Sequence, residues 1–151
     1  MSEASFRRTG WESPALIAIA LAGLAISLYL TATHGGSVPL VCTVGSVVNC
    51  AAVTNSAYSV VPGTSTPISA VGALWFLVSG ALSVWALVLR EPGWLRPAHL
   101  AWAGLALVVV LYLIYVEIVV LHQICEWCSV LHLLIIATFV LDLRRWQQAG
   151  V

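Results

Sequence analysis

The sequence predicts an all-α integral membrane protein: a four-helix transmembrane bundle with one long exoplasmic loop carrying a cysteine pair. Three observations lead there. Of the 151 residues, 61% are apolar and only 8% charged, against roughly 25% charged in a typical globular domain. A water-soluble chain this short cannot hide so much apolar surface. The apolar residues gather into four runs, each close to the roughly 20 residues that span a bilayer. Every basic residue is an arginine, and the six fall in three groups: Arg7 and Arg8, Arg90 and Arg96, Arg144 and Arg145. The length suits one membrane domain, 1–151, with nothing to spare for a second. A net charge of zero leaves no electrostatic case for nucleic acid.

The first span is expected at about 14–33. Ser13 is positioned as a helix cap and Pro14 as the first helical residue, followed by the apolar run Ala15 to Thr33. A secretory signal peptide also begins with a basic start and an apolar run. Its apolar region is shorter, roughly 7–15 residues, and a small-x-small cleavage site follows it; neither trait fits here. Residues 34–66 form the long mixed segment, with Gly35, Gly36, Pro39, Cys42, Cys50, Pro62 and Gly63. A loop of that length is usually functional. Within it, Val53 to Val61 reads equally as a short helix or a strand along the membrane surface. Thr66 and Pro67 repeat the cap-plus-proline signal and open the second span, 67–89. Pro92 and Gly93 mark a tight connector. The third span, 98–121, again follows a proline. Only His122 to Ile124 separates it from the fourth, 125–143, and the remainder from Arg144 is a polar tail.

Four spans put both termini on one side, together with all three arginine groups. The positive-inside rule makes that side cytoplasmic. The 34–66 loop and the turn between spans three and four therefore share the exoplasmic face of a cell membrane. Both cysteine pairs, Cys42/Cys50 and Cys125/Cys128, lie on this oxidising side, where disulfides persist.

Cys125-Glu126-Trp127-Cys128 begins a helix, where free backbone N–H groups and the helix dipole stabilise a thiolate. The Glu126 carboxylate flanks both thiols and is expected to oppose that effect. Thiol–disulfide exchange needs an attacking thiolate, an attackable disulfide and access between them. A flexible loop pair offers access, and a fixed pair at a helix start offers a tuned thiolate. Electrons passed inward then need an exit. With no flavin or nicotinamide motif and too few histidines for a haem, a lipid-soluble quinone is the natural sink.

The order Cys42-x7-Cys50, Ser56, the Pro67 to Gly72 helix entry and Cys125-x-x-Cys128 resembles the vitamin K epoxide reductase family, including its bacterial quinone-linked homologues. The resemblance covers roughly Pro14 to Leu143. It implies that Cys128 lies nearest the quinone, that Cys50 exchanges with Cys125, and that Cys42 meets a reduced thioredoxin-like partner. Ser56 matches the family's loop Ser/Thr beside the active site. Many bacterial members carry a fused thioredoxin-like domain; the chain stops before one, so the resemblance implies a separate exoplasmic protein as donor. The resemblance further implies a menaquinone, ubiquinone or vitamin K type quinone as the acceptor. Two departures from the animal enzymes, His132 for Tyr and Ile68-Ser69 where they carry Asn, favour quinone over epoxide reduction.

His132, one turn beyond Cys128 on the same helix face, is a candidate for quinone binding or proton transfer. Glu117 is a second, because an ionisable group inside a span is costly. Trp11, Trp94, Trp127 and Trp146 are expected in interfacial belts, and Trp75, Trp85 and Trp102 in packing. Three other readings remain: static disulfides in a non-enzymatic membrane protein, a four-cysteine zinc site, and the unrelated DsbB-type oxidase. The oxidising face argues against zinc, and no metal is expected. In the DsbB type the Cys-x-x-Cys pair comes first, the reverse of the order here.

Overall fold

The computed structural model describes residues 11–89 and 92–149. Arg7, Arg8 and Arg90 lie outside the described residues. Among the described residues, four long helices are apolar and long enough to cross a membrane: α1 (Glu12–His34), α3 (Ile68–Val88), α4 (Leu95–Tyr115) and α5 (Glu126–Ala149). The short helix α2 (Cys50–Thr54) and a 3-10 turn (Ala57–Ser59) lie in the loop between α1 and α3. The chain is an all-α membrane bundle, as its apolar runs require.

Helix ends differ from expectation in instructive ways. Helix α1 starts at Glu12, with Pro14 in the first turn, where its missing N–H costs nothing. Pro67 is the residue before α3 rather than its first, with an extended ψ of 141°. Helix α4 begins three residues early, at Leu95. Helix α5 runs on to Ala149, so the expected polar tail is helical. Arginine and glutamine are good helix formers, and Asp142 reaches Arg145 at 3.7 Å one turn on.

Small residues fit α1 against α3, as is common where lipid removes any hydrophobic drive between helices. Gly80 faces Ala20, Gly72 lies against the Ser27 hydroxyl, and the Phe76 ring occupies the space a side chain at position 23 would need. Gly23→Val therefore overpacks this seam. It should cost about 1–3 kcal/mol, read as a lower thermal midpoint in detergent, and Phe76→Leu should restore part of it.

Helix α4 packs on α5, and α1 also meets α5, whereas α3 and α4 touch little. Their link is a pair of stacked indoles, Trp75 and Trp102, with centroids 6.4 Å apart. Each indole N–H is satisfied, Trp75 at the Trp102 carbonyl and Trp102 at the Ser79 hydroxyl, as a lipid setting demands. Trp85 does not pack inside: it is exposed and meets Trp94 edge-on. At the arginine end, buried His99, Asp142 and Arg145 tie α4 to α5, and Gln148 donates to Glu12 on α1. The long exposed Leu and Val faces, Leu21, Leu74, Leu105 and Leu133 among them, are the lipid-facing surface.

Candidate functional site

The end of the bundle away from Arg96, Arg144 and Arg145 holds all four cysteines. Two long-range backbone hydrogen bonds organise it. Ile124 N–H donates to the Val47 carbonyl at 2.9 Å, and Asn49 N–H donates to the Ile124 carbonyl at 3.0 Å. This single parallel bridge sets the residue before Cys50 beside the residue before Cys125. Asn49 then caps α2, its side chain accepting from Ala52 N–H, a favoured capping role. Cys50 is thereby turned inward to 1% exposure, and Cys125 is fully buried at 0%. The two pack in one cluster with Val53, against Cys42, Leu121, Trp127 and Cys128.

Cys42 and Cys50 form a disulfide across a Cα–Cα distance of 6.1 Å, and Cys125 and Cys128 are free thiols. The loop is no loose flap. Trp127 donates its indole N–H to the Val41 carbonyl at 2.7 Å. The Tyr29 hydroxyl accepts from Val41 N–H and donates to the Pro39 carbonyl, and its ring meets Trp127 edge-on at 5.3 Å. Thr43 N–H donates to Glu126 Oε1 at 3.0 Å. Trp127 is therefore a loop clamp, not merely a belt residue. Glu126 turns to the loop, and the carboxylate facing Cys125 is Glu117 instead.

Helix α4 winds into a π-helical turn (Val116–Leu121) that ends on His122 in left-handed conformation, φ 51°. Such turns recur at functional sites. This one directs Glu117 inward, where Oε2 accepts Cys125 N–H at 3.2 Å and Oε1 lies 3.9 Å from His132 Nε2. Cys125 precedes α5 rather than opening it and serves as its cap: the sulfur accepts Cys128 N–H at 3.3 Å, and the carbonyl accepts Ser129 N–H.

Between α1, α3, α4, α5 and the loop lies a cavity of about 300 Å³, the lower end of the range for small-molecule sites. Its walls are apolar, with Trp75, Phe76, Val109 and Leu131 among them, and Ser56, Glu117, Cys128 and His132 line it as well. So do His34 and Tyr58. His34, whose ring nitrogen is 3.2 Å from the Thr54 carbonyl, carries no motif that would single it out in the sequence.

The sequence profile of the vitamin K epoxide reductase family matches residues 14–143. The chain belongs to this family. A comparison with curated proteins gives no match. Membership makes the chain a membrane redox enzyme of thiol–disulfide type, in a family that generally uses quinones.

In this family member the Cys125 thiol is held below its ordinary range. The largest cause is the hydrogen bond from the Cys128 side chain, with the Cys128 and Trp127 N–H groups adding to it; burial and the Glu117 carboxylate oppose it. A lowered pKa brings the thiolate in at lower pH. Alkylation of Cys125 should thus rise with a midpoint below 9.0, and Cys128→Ala should move that midpoint up. An unmoved midpoint would remove Cys128 as the cause.

Proposed function

We propose that the protein is a membrane thiol:quinone oxidoreductase that drives disulfide formation outside the cytoplasm. It acts as a single membrane domain with both termini cytoplasmic and both cysteine pairs exoplasmic. One observation carries the reading: buried Cys50 and Cys125 share a cluster, while Cys128, one turn from Cys125, lines the apolar cavity. Disulfide outside and dithiol inside is the distribution a relay has after inward transfer and before electrons leave.

Each step is an exchange. A thioredoxin-like dithiol attacks half-exposed Cys42, breaks the Cys42–Cys50 bond and leaves as a disulfide. The Cys50 thiolate attacks Cys125 of an inner disulfide, releasing Cys128. Cys42 then attacks Cys50, re-forming the outer disulfide and returning Cys125 as a thiolate. Burial of Cys50 and Cys125 shields this transfer from outside thiols. The lowered Cys125 pKa makes it a better leaving group than an ordinary thiol.

The residues around the cavity fit a quinone: apolar walls for a flat ring, and the His132 ring and the Cys128 thiol for its carbonyls. The Ser56 hydroxyl donates to the Val53 carbonyl at 2.8 Å and serves a quinone only by turning away from that carbonyl. A bound quinone takes up the two electrons and two protons given off as Cys125 and Cys128 close to a disulfide. His132 and Glu117, which line the cavity together with Cys128, handle those protons. Ile68 and Ser69 line the cavity and Ser69 is engaged by Thr31, so the amide that animal enzymes carry there is missing; respiratory quinones suit the site better than an epoxide. The test is purified protein with a reduced thioredoxin-like donor and quinone, followed by quinone absorbance. Quinol should form one per donor dithiol, and no quinol above the uncatalysed rate would refute the reading.

A further inference from the structure

Glu126 sits beside the outer pair, not the inner one. One carboxylate oxygen of Glu126 and the sulfurs of Cys42 and Cys50 all lie within 4.8 Å of one another. Oε1 is pinned by Thr43 N–H, a contact that orients the carboxylate as outer-sphere hydrogen bonds orient metal ligands, and it leaves a second oxygen. Cys42 and Glu126 are half-exposed and Cys50 is buried, so the group opens on one side only.

While the disulfide is closed neither sulfur is a thiolate, the form that binds metals. Reduction changes this. A dithiol protein gives up two electrons and two protons, becoming a disulfide, and Cys42 and Cys50 become thiols. We propose that reduced Cys42 and Cys50, together with Glu126, form a binding site for a thiophilic divalent cation, Zn²⁺ by its chemistry, which exists only while the outer pair is reduced.

On binding, two S–H bonds break, two sulfur–metal bonds and one oxygen–metal bond form, and two protons go to water. No electrons move. Two thiolates and one carboxylate leave the site with one net negative charge around the cation. Tetrahedral zinc, with bonds of about 2.3 Å to sulfur and about 2.1 Å to oxygen, sets the sulfurs about 3.8 Å apart and each about 3.6 Å from the oxygen. A Cα–Cα distance of 6.1 Å lets the side chains reach that spacing by rotation once the disulfide opens. Two thiolates select zinc or cadmium over magnesium and calcium. Three protein ligands leave the fourth position to water, an open and exchangeable site. The site differs from a four-cysteine centre in drawing on one pair only.

The bound cation occupies the Cys50 sulfur and so withholds it from Cys125. The outer pair stays reduced, and inward transfer stops until the cation leaves. This makes the site a reversible brake that engages when donor thiols outrun the acceptor.

The test uses full-length protein carrying Cys125→Ser and Cys128→Ser, so that the outer pair supplies every thiol. It is reduced with a non-chelating phosphine and titrated with Cd²⁺, read by the ultraviolet thiolate-to-cadmium absorption. One Cd²⁺ per reduced chain is expected, with none on the disulfide form and displacement by Zn²⁺. Adding Glu126→Gln should weaken binding at least ten-fold; the glutamine keeps the acceptor for Thr43 N–H, so the loop holds its position. No absorption from reduced protein, equal binding by both redox forms, or full affinity in the Glu126→Gln protein overturns the proposal. The readout is binding without turnover, so it stands or falls apart from the quinone-linked reading.

Discussion

Cys128→Ser abolishes quinol formation and leaves exchange between the donor protein and Cys42–Cys50 intact. Cys128 is the cysteine that lines the cavity, so it is the point at which electrons leave. A serine there fills the same space but forms no disulfide, and a single thiol at Cys125 cannot give up two electrons. The expected loss is roughly 10³-fold or more, the scale of removing a reacting nucleophile. The outer loop is held by Tyr29, Glu126 and Trp127, none of which needs the Cys128 sulfur. Donor oxidation should therefore proceed once per chain and stop. Before donor is added, the Cys125 thiolate should displace Cys42 from Cys50 in part of the oxidised variant, and with Cys128 absent nothing inside resolves the resulting Cys50–Cys125 cross-link. Mass spectrometry of the alkylated protein detects it, and one donor dithiol reduces whichever of the two disulfides the chain carries. Quinol production at the wild-type rate would move the exit elsewhere.

Glu117→Gln separates charge from position. Glutamine is nearly the same size and still accepts Cys125 N–H, the contact now made by Oε2 at 3.2 Å. It loses the charge beside His132, whose Nε2 stands 3.9 Å from Oε1. That gap is too long for a hydrogen bond, yet a small shift closes it. Oxidising the inner dithiol releases two protons in an apolar setting, and this pair of titratable groups lines the cavity with Cys128. A positioned acid or base contributes about 10²–10⁴-fold, so kcat for quinol formation should fall about 10²-fold. The KM for quinone should hold, and donor exchange at Cys42 should be unaffected. Glu117→Ala goes further, leaving Cys125 N–H buried without an acceptor at a cost of about 1–3 kcal/mol, so its thermal midpoint should drop as well. An unchanged kcat in Glu117→Gln would confine Glu117 to holding the Cys125 backbone.

The bundle was legible because its cause is local: runs such as Leu105 to Tyr115 have no other solvent than lipid. Among the proposed site residues, Glu117 and His132 were within reach because a polar group inside an apolar span stands out, Cys128 through its Cys-x-x-Cys spacing, and Ser56, a loop residue, only through the family resemblance. The loop was not. Its shape depends on Trp127 meeting Val41, separated by 86 positions, and on Ile124 pairing with Val47 and Asn49. No pattern within the loop encodes those partners. The π-helical turn was equally hidden, because Val116 to Leu121 would suit an ordinary α-helix; its winding follows from closing on His122 just ahead of Cys125. Glu126 misled for a related reason. Its neighbours along the chain are the inner cysteines, but a residue in the first turn of α5 also faces whatever lies across the bundle end, and there the loop brings Cys42 and Cys50.

The central claim is that the inner dithiol empties its electrons into quinone. The direct measurement is an anaerobic single turnover: protein with Cys125 and Cys128 reduced is mixed with quinone, quinol is read by absorbance, and the remaining thiols are alkylated and counted by mass. Two thiols should disappear for each quinol formed, both mapping to Cys125 and Cys128. Free thiols that stay the same with and without quinone would contradict it.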